Sequence, residues 1–333
     1  MKTIGEVDAQ SRTAALAAAA PIRPRMTLRS RVMRLSVWLA CVACGSATSS
    51  GSSPAPATGP ASFAIASAAE LVAPGIVSSE LTEIRLAASP DGAMLLWGST
   101  DRKGGPGGWN IWMSRRTGAT WSTPEPAPFN SDANDFDPAF SADGRWVYFF
   151  SNRPGGLGGD DIYRVAATAG GFGPVQHLGP EINTARDEWA PAPSPDGTRL
   201  LFASNPPGAK HDLFIAKLHG DGFERAEPLP GEVNTAADEF DATFLSDGSS
   251  IVFSRSSDVE NDPIQLYFAA RGPGGYGAGT LLPPSVNVDG GYTLGPSIDG
   301  ADRSVLYFSS KRPEAAAGKL DVYRVHYVLR TGG

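Results

Sequence analysis

An Asp-Gly turn recurs through this chain with its aspartate at positions 91, 143, 196, 247 and 299, most copies reading Ser-x-Asp-Gly. The spacings are 52, 53, 51 and 52 residues, and a fixed period of that size belongs to propellers, solenoids and arrays. Each Asp-Gly lies between two short apolar runs, as a tight β-hairpin requires, because glycine accepts φ > 0 at no steric cost. Gly and Pro interrupt the chain too often for helices, so the unit is all-β.

One copy reads strand by strand. Phe136 to Phe140 leads into the Ser141-Ala142-Asp143-Gly144 turn, and Trp146 to Phe150 follows, apolar on both faces. Met94–Trp97, Leu200–Phe202, Ile251–Phe253 and Val305–Phe308 match it. A strand with no polar face has to be covered on both sides, which stacked blades achieve. Asp161–Val165 is a third strand and Val175–Leu178 an outer one. Four antiparallel strands per unit, repeated radially, make a β-propeller. The fifth unit supplies Val305–Ser309 and Asp321–Val328 and then lacks an outer strand. Phe63–Pro74 is a spare one, because Pro74-Gly75 and Val77 align with Pro230-Gly231 and Val233. The expected fold is therefore a five-bladed propeller over residues 62–333, closed by its amino-terminal strand pairing with the last blade. Closure removes open sheet edges.

SPDG followed by LLFASN, and WVYFFSNRPGGLGGDDIYRV with LGPEINT after it, resemble the TolB-type, WD-like β-propeller repeat over about residues 62–333. The resemblance implies an exported propeller of the bacterial envelope, acting as a binding module. TolB itself is expected to have six blades and an additional amino-terminal domain, against the five repeats counted here.

Residues 1–43 read as a leader. Arg29, Arg31 and Arg34 precede the short apolar run Leu35–Ala43, a charged region before a core too short to span a bilayer. Cys44 follows, and this arrangement resembles a bacterial lipoprotein signal, with Cys44 as the lipid-attachment residue and Cys41 as a competing one. Residues 44–61, rich in Ser, Pro and Ala, form a flexible tether. Expected localisation is periplasm or cell surface, with the membrane reached only through the lipid anchor. Seven of the 28 basic residues and two of the 35 acidic ones fall in residues 1–43, leaving a net charge of −12 beyond them. Such a surface repels nucleic acid and favours cations, basic partners or neutral sugars. The expected partner is an envelope protein or a glycan, bound by a monomer.

Candidate site residues come from the repeat. Eight residues before each turn aspartate stand Glu83, Asp135, Glu188, Glu239 and then Gly291; two further on are Arg85, Asp137, Ala190, Asp241 and Thr293. Propeller symmetry would gather the acids at one mouth of the central channel, where like charges raise one another's pKa or recruit a cation. The alternative is a repeat-wide device in which each carboxylate accepts N–H bonds from the adjacent blade, and repetition favours it. Between the two sets lie Phe136, Trp189, Phe240 and Tyr292, aromatic faces suited either to sugars and cationic side chains or to packing between blades. Arg153 with Asp161, and Arg312 with Asp321, are expected to bridge their own loops.

No catalytic, metal or cofactor set emerges. The run Gly272–Gly277 matches G-x-G-x-x-G but starts no helix. The four histidines lack metal-ligand spacing, and no G-x-S-x-G elbow occurs. Two functions remain: a non-enzymatic envelope scaffold, and a glycosidase-like enzyme using Asp137, Glu188 and Asp241, which needs two carboxyls at a defined separation.

Overall fold

The computed structural model describes residues 61–330 apart from 107, 169, 206–208 and 313–319. The leader, most of the tether and Cys44 lie outside the described residues. Five antiparallel sheets are arranged as a ring, each inner strand touching the inner strands on either side of it. These inner strands are Thr82–Ala88, Asp135–Phe140, Asp187–Pro193, Asp238–Phe244 and Thr293–Ile298. The second strands, among them Trp146–Ser151 and Val305–Ser310, are buried almost throughout. At one position they place Trp97, Phe149, Phe202, Phe253 and Phe308, each at most 1% exposed. Full burial of such a side chain contributes about 2–3 kcal/mol, and it is available here only because another blade covers each face.

The Ser-x-Asp-Gly motif is a turn lock. Ser141 Oγ accepts the Trp146 N–H at 2.9 Å and donates to Asp143 Oδ1 at 2.6 Å, and Ser194, Arg199 and Asp196 repeat the arrangement. These bonds favour the charged form, and the Asp143 carboxyl is held down to about 2, with the Ser141 hydrogen bond as the largest cause. In the fourth blade Leu245 stands in the serine's place, and Asp247 holds the turn by accepting from Ser249 N and Ser250 N. The fifth turn is different again. Asp299 itself occupies the serine position, its N–H bonding to the Val305 carbonyl across a longer loop. The true equivalents in that blade are thus shifted by two residues from those expected by counting back from Asp299.

The ring closes as expected from the sequence. Ser62–Ile65 pairs antiparallel with Asp321–Arg330, with Phe63 opposite Leu329 and Ile65 opposite Tyr327, and Glu70–Leu71 adds a second short pairing to Arg324 and Tyr323. Phe63 stacks on Phe268 of the fourth blade at 5.1 Å and on Tyr327 at 5.4 Å, so the closing strand also pins two blades together. In the first and third blades the outer strand is split into two short pieces.

Phe63→Ala is expected to lower stability by about 2 kcal/mol, below the ~3–5 of a fully buried phenylalanine because Phe63 is only partly covered. Urea denaturation of the full chain measures it; an unchanged midpoint would mean that this strand does not fasten the ring.

Candidate functional site

The first set of acids lies in the walls of the ring. Glu83, Asp135, Glu188 and Glu239 are each 0% exposed. Every one accepts two bonds from a Ser or Thr four residues earlier: Glu188 from Thr184 N at 3.0 Å and Oγ1 at 2.7 Å, Glu239 from Thr235 N at 2.9 Å and Oγ1 at 2.6 Å. Ser79 serves Glu83, and Ser131 serves Asp135, in the same way. The donors belong to the loop that carries the chain in from the preceding blade. The donors expected from the sequence are backbone N–H groups of the adjacent blade; those found are one backbone N–H and one hydroxyl of this loop, and the carboxylates do not open on the channel.

Three of these acids also hold an arginine. Arg102–Glu83 measures 3.0 Å, Arg153–Asp135 2.5 Å and Arg255–Glu239 2.7 Å. The same guanidiniums cap a loop carbonyl, at Val77, Phe129 and Val233, and lie over an aromatic pair of their own blade, such as Phe149 and Tyr163 for Arg153. Arg312 does likewise over Phe308 and Tyr323, donating to the Ser285 and Val286 carbonyls. Arg153 therefore pairs with Asp135 instead of Asp161, which accepts from Leu157 N and Gly158 N and faces His177. Glu188 of the third blade has no arginine partner among the described residues. It receives the Ser204 hydroxyl at 3.0 Å, and burial pushes its pKa up.

The second set does face the channel. Arg85, Asp137, Ala190 and Asp241 all have positive φ, between 45° and 53°, and Gly295 has φ 62°. Each sits at a bulge of its inner strand. A bulge turns the side chain inward at the cost of a left-handed conformation. The fifth member is Gly295, and Thr293 instead corresponds to the buried acids. Arg85 crosses the axis: its Nη2 donates to the carbonyls of Pro191 at 3.4 Å and Ala242 at 3.2 Å, in the third and fourth blades. Asp241 Oδ2 receives the Gly295 N–H at 3.2 Å. The channel is thus plugged at its waist by a guanidinium.

Trp189 and Phe240, with Phe136, are buried between blades. Phe136 stacks on Phe150 at 4.9 Å, Phe150 on Trp189 at 6.2 Å, and Trp189 on His211 at 3.9 Å, while Trp189 Nε1 donates to Asp160 at 2.8 Å. Tyr292 does not belong to this series. The shifted register gives its place to Leu294, and Tyr292 instead bridges to Ile264.

One repeated device went unread in the sequence. The amides of Asn183, Asn234 and Asn287 each accept from the N–H and donate to the carbonyl of a single third-strand residue, Ile162, Leu213 and Leu266 respectively, and Asn130 does so for Ile111. The signal was present, since these asparagines recur at spacings of 53, 51 and 53 residues.

A concavity of about 460 Å3 lies between the second and third blades on the Asp-Gly turn face. Trp146, Tyr148, Phe223, Arg145, Arg164 and Arg199 line it. Arg164 stands 4.1 Å over the Trp146 ring, while Arg145 and Arg199 each pair with a turn aspartate. Aromatic area bordered by guanidiniums suits recognition of another macromolecule. Among the described residues no cluster of three or more His, Cys, Asp or Glu could hold a metal ion.

No family model matches the chain. A curated relative, an uncharacterized protein of Agrobacterium fabrum, is 36% identical over 67 residues, so the chain spans about 20% of the length of that relative and matches it over 20% of its own. The solved TolB of Acinetobacter baumannii is 16% identical with a TM-score of 0.47, covering 76% of this chain and 57% of that one. A putative TolB of Agrobacterium tumefaciens is 14% identical, TM-score 0.46, covering 76% and 91%. A thermostable family-43 glycoside hydrolase is 12% identical, TM-score 0.49, covering 78% and 95%.

Asp321 yields a pH prediction. It is 2% exposed, its Oδ2 has no hydrogen-bond partner, and burial pushes its pKa up to about 6. Between the unfolded value near 4 and that value the folded chain binds the extra proton, so stability falls as pH rises through this window. Asp321→Asn is expected to gain about 2–3 kcal/mol over the parent at pH 7.5 and to lose that advantage at pH 4. Urea melts at the two pH values measure it; equal differences at both would refute the assignment.

Proposed function

We propose that this chain is a non-enzymatic, exported propeller that binds a protein or other envelope component on its Asp-Gly turn face, held to the membrane through lipid on Cys44. The observation that carries the reading is the use made of the inner-strand acids. Glu188, one member of the glycosidase-like trio, is wholly buried against Thr184 and Ser204. Asp241 is tied to the fifth blade, and Arg85 spans the channel beside it. A glycosidase of this kind requires two carboxyls flanking the bond to be cleaved, and Glu188 and Asp241 are committed to holding a loop and a blade. The groove beside Trp146 and Arg164 offers what a binding module needs, an aromatic and guanidinium surface open to solvent.

The test places a photo-crosslinking residue at Arg145, whose side chain is 78% exposed, in cells of the native host. One discrete adduct is expected, reduced about tenfold in a Trp146→Ala, Arg164→Ala double variant, and absent when the probe stands at Leu157, at the opposite end of the same blade. Failure to form any adduct overturns the reading. So does release of reducing sugar from a polysaccharide panel by the parent but not by Asp241→Asn.

A further inference from the structure

We propose that the central funnel on the Asp-Gly turn face is a carboxylate-binding site with Arg85 as its floor. This goes beyond the scaffold reading and does not depend on it.

Arg85 is 1% exposed, and of its three guanidinium nitrogens only Nη2 has partners, the Pro191 and Ala242 carbonyls. Nε and Nη1 are buried with no hydrogen-bond partner. A buried cation with unmatched N–H groups is costly, and native structures match such donors with an acceptor. Position and strain show that the residue is held there by the fold: its backbone is left-handed at a bulge of the inner strand, and Ser309 Oγ accepts the Arg85 N–H at 3.1 Å.

The funnel leads from Arg85 to the turns and encloses about 70 Å3. A single water needs roughly 10–15 Å3 of such space, so the funnel has room for a carboxylate. Its charged lining residues are Arg85, Arg303 and Asp299. The Asp299 carboxylate is already engaged by Ala301 N, Asp302 N and the Tyr307 hydroxyl. Asp137 and Asp241 occupy bulges at the level of Arg85 and are not part of the lining. The lining thus carries two guanidiniums against one carboxylate that already has its donors. The edges of a guanidinium fork match the paired oxygens of a carboxylate. Around the opening, Pro90, Pro138, Pro193 and Phe244 form an apolar collar, which suits a carboxylate on a short aliphatic stem better than a hydrated inorganic ion. That group is supplied either by a free small acid or by the end of a peptide chain.

The experiment uses the full chain at pH 7 and constant ionic strength. Sodium acetate, the tripeptide Gly-Ala-Ala and its carboxy-terminal amide are titrated by calorimetry, with sodium chloride as the reference in thermal unfolding. Saturable binding of acetate, with stabilisation above the chloride reference, is expected, and Arg85→Lys weakens it about tenfold by removing the fork. Tighter binding of the peptide, lost on amidation, assigns a chain end; equal binding of acetate and peptide assigns a free acid. Should Arg85→Lys fail to fold, a crystal of the parent chain soaked in acetate decides. A carboxylate on Nε or Nη1 supports the site. Water alone on both nitrogens, together with no stabilisation beyond chloride, overturns it.

Discussion

Every blade has to release the chain to its neighbour without leaving a bare strand edge, and at four of the five junctions one asparagine amide solves that problem. Where the outer strand ends, the third strand would expose an N–H and a carbonyl. Asn183 takes both from Ile162 and so replaces the missing length of strand, while the backbone is already turning toward the third blade. Asn130, Asn234 and Asn287 do the same at three other junctions. At the junction between last and first blades a smaller group serves, the Ser78 hydroxyl donating to the Val322 carbonyl at 3.2 Å.

The acid and arginine of each repeat build on that junction. Once the loop is clamped, its Ser or Thr lies within reach of the carboxylate that opens the next inner strand, and the arginine ties the loop carbonyl, the acid and the aromatic pair together. Such groups are far from water, and removing one partner would leave a buried charge uncompensated. This explains why the acids recur in four of the five blades, each taking the Ser or Thr of the entering loop, while Thr293 stands in their place in the fifth. The third blade departs from the pattern, with Ser204 in place of a guanidinium at Glu188, next to the groove that carries the proposed binding face.

The channel obeys a different constraint. An inner strand with ideal alternation would send the residues at either side of Ile84 to the same face. The bulge breaks the alternation, so Glu83 is kept in the wall while Arg85 reaches across the axis. The turn aspartates are a useful contrast. Their chemistry is local, a serine hydroxyl and two backbone N–H groups within five residues, and a motif of that kind can be recognised without knowing what surrounds it.

The period, the apolar second strands, the count of five and the pairing of Phe63 with the last blade were all present in the order of residues, because turn chemistry and strand alternation act between near neighbours. So were the asparagine clamps, although only their spacing betrayed them. The destination of each acid was decided in three dimensions. Whether Asp135 meets a channel or Arg153, and whether residue 292 or 294 packs between blades, depends on a left-handed residue and a longer fifth turn. Those small backbone departures redirect side chains by a whole face, and only the assembled ring of neighbouring blades makes them worth their strain.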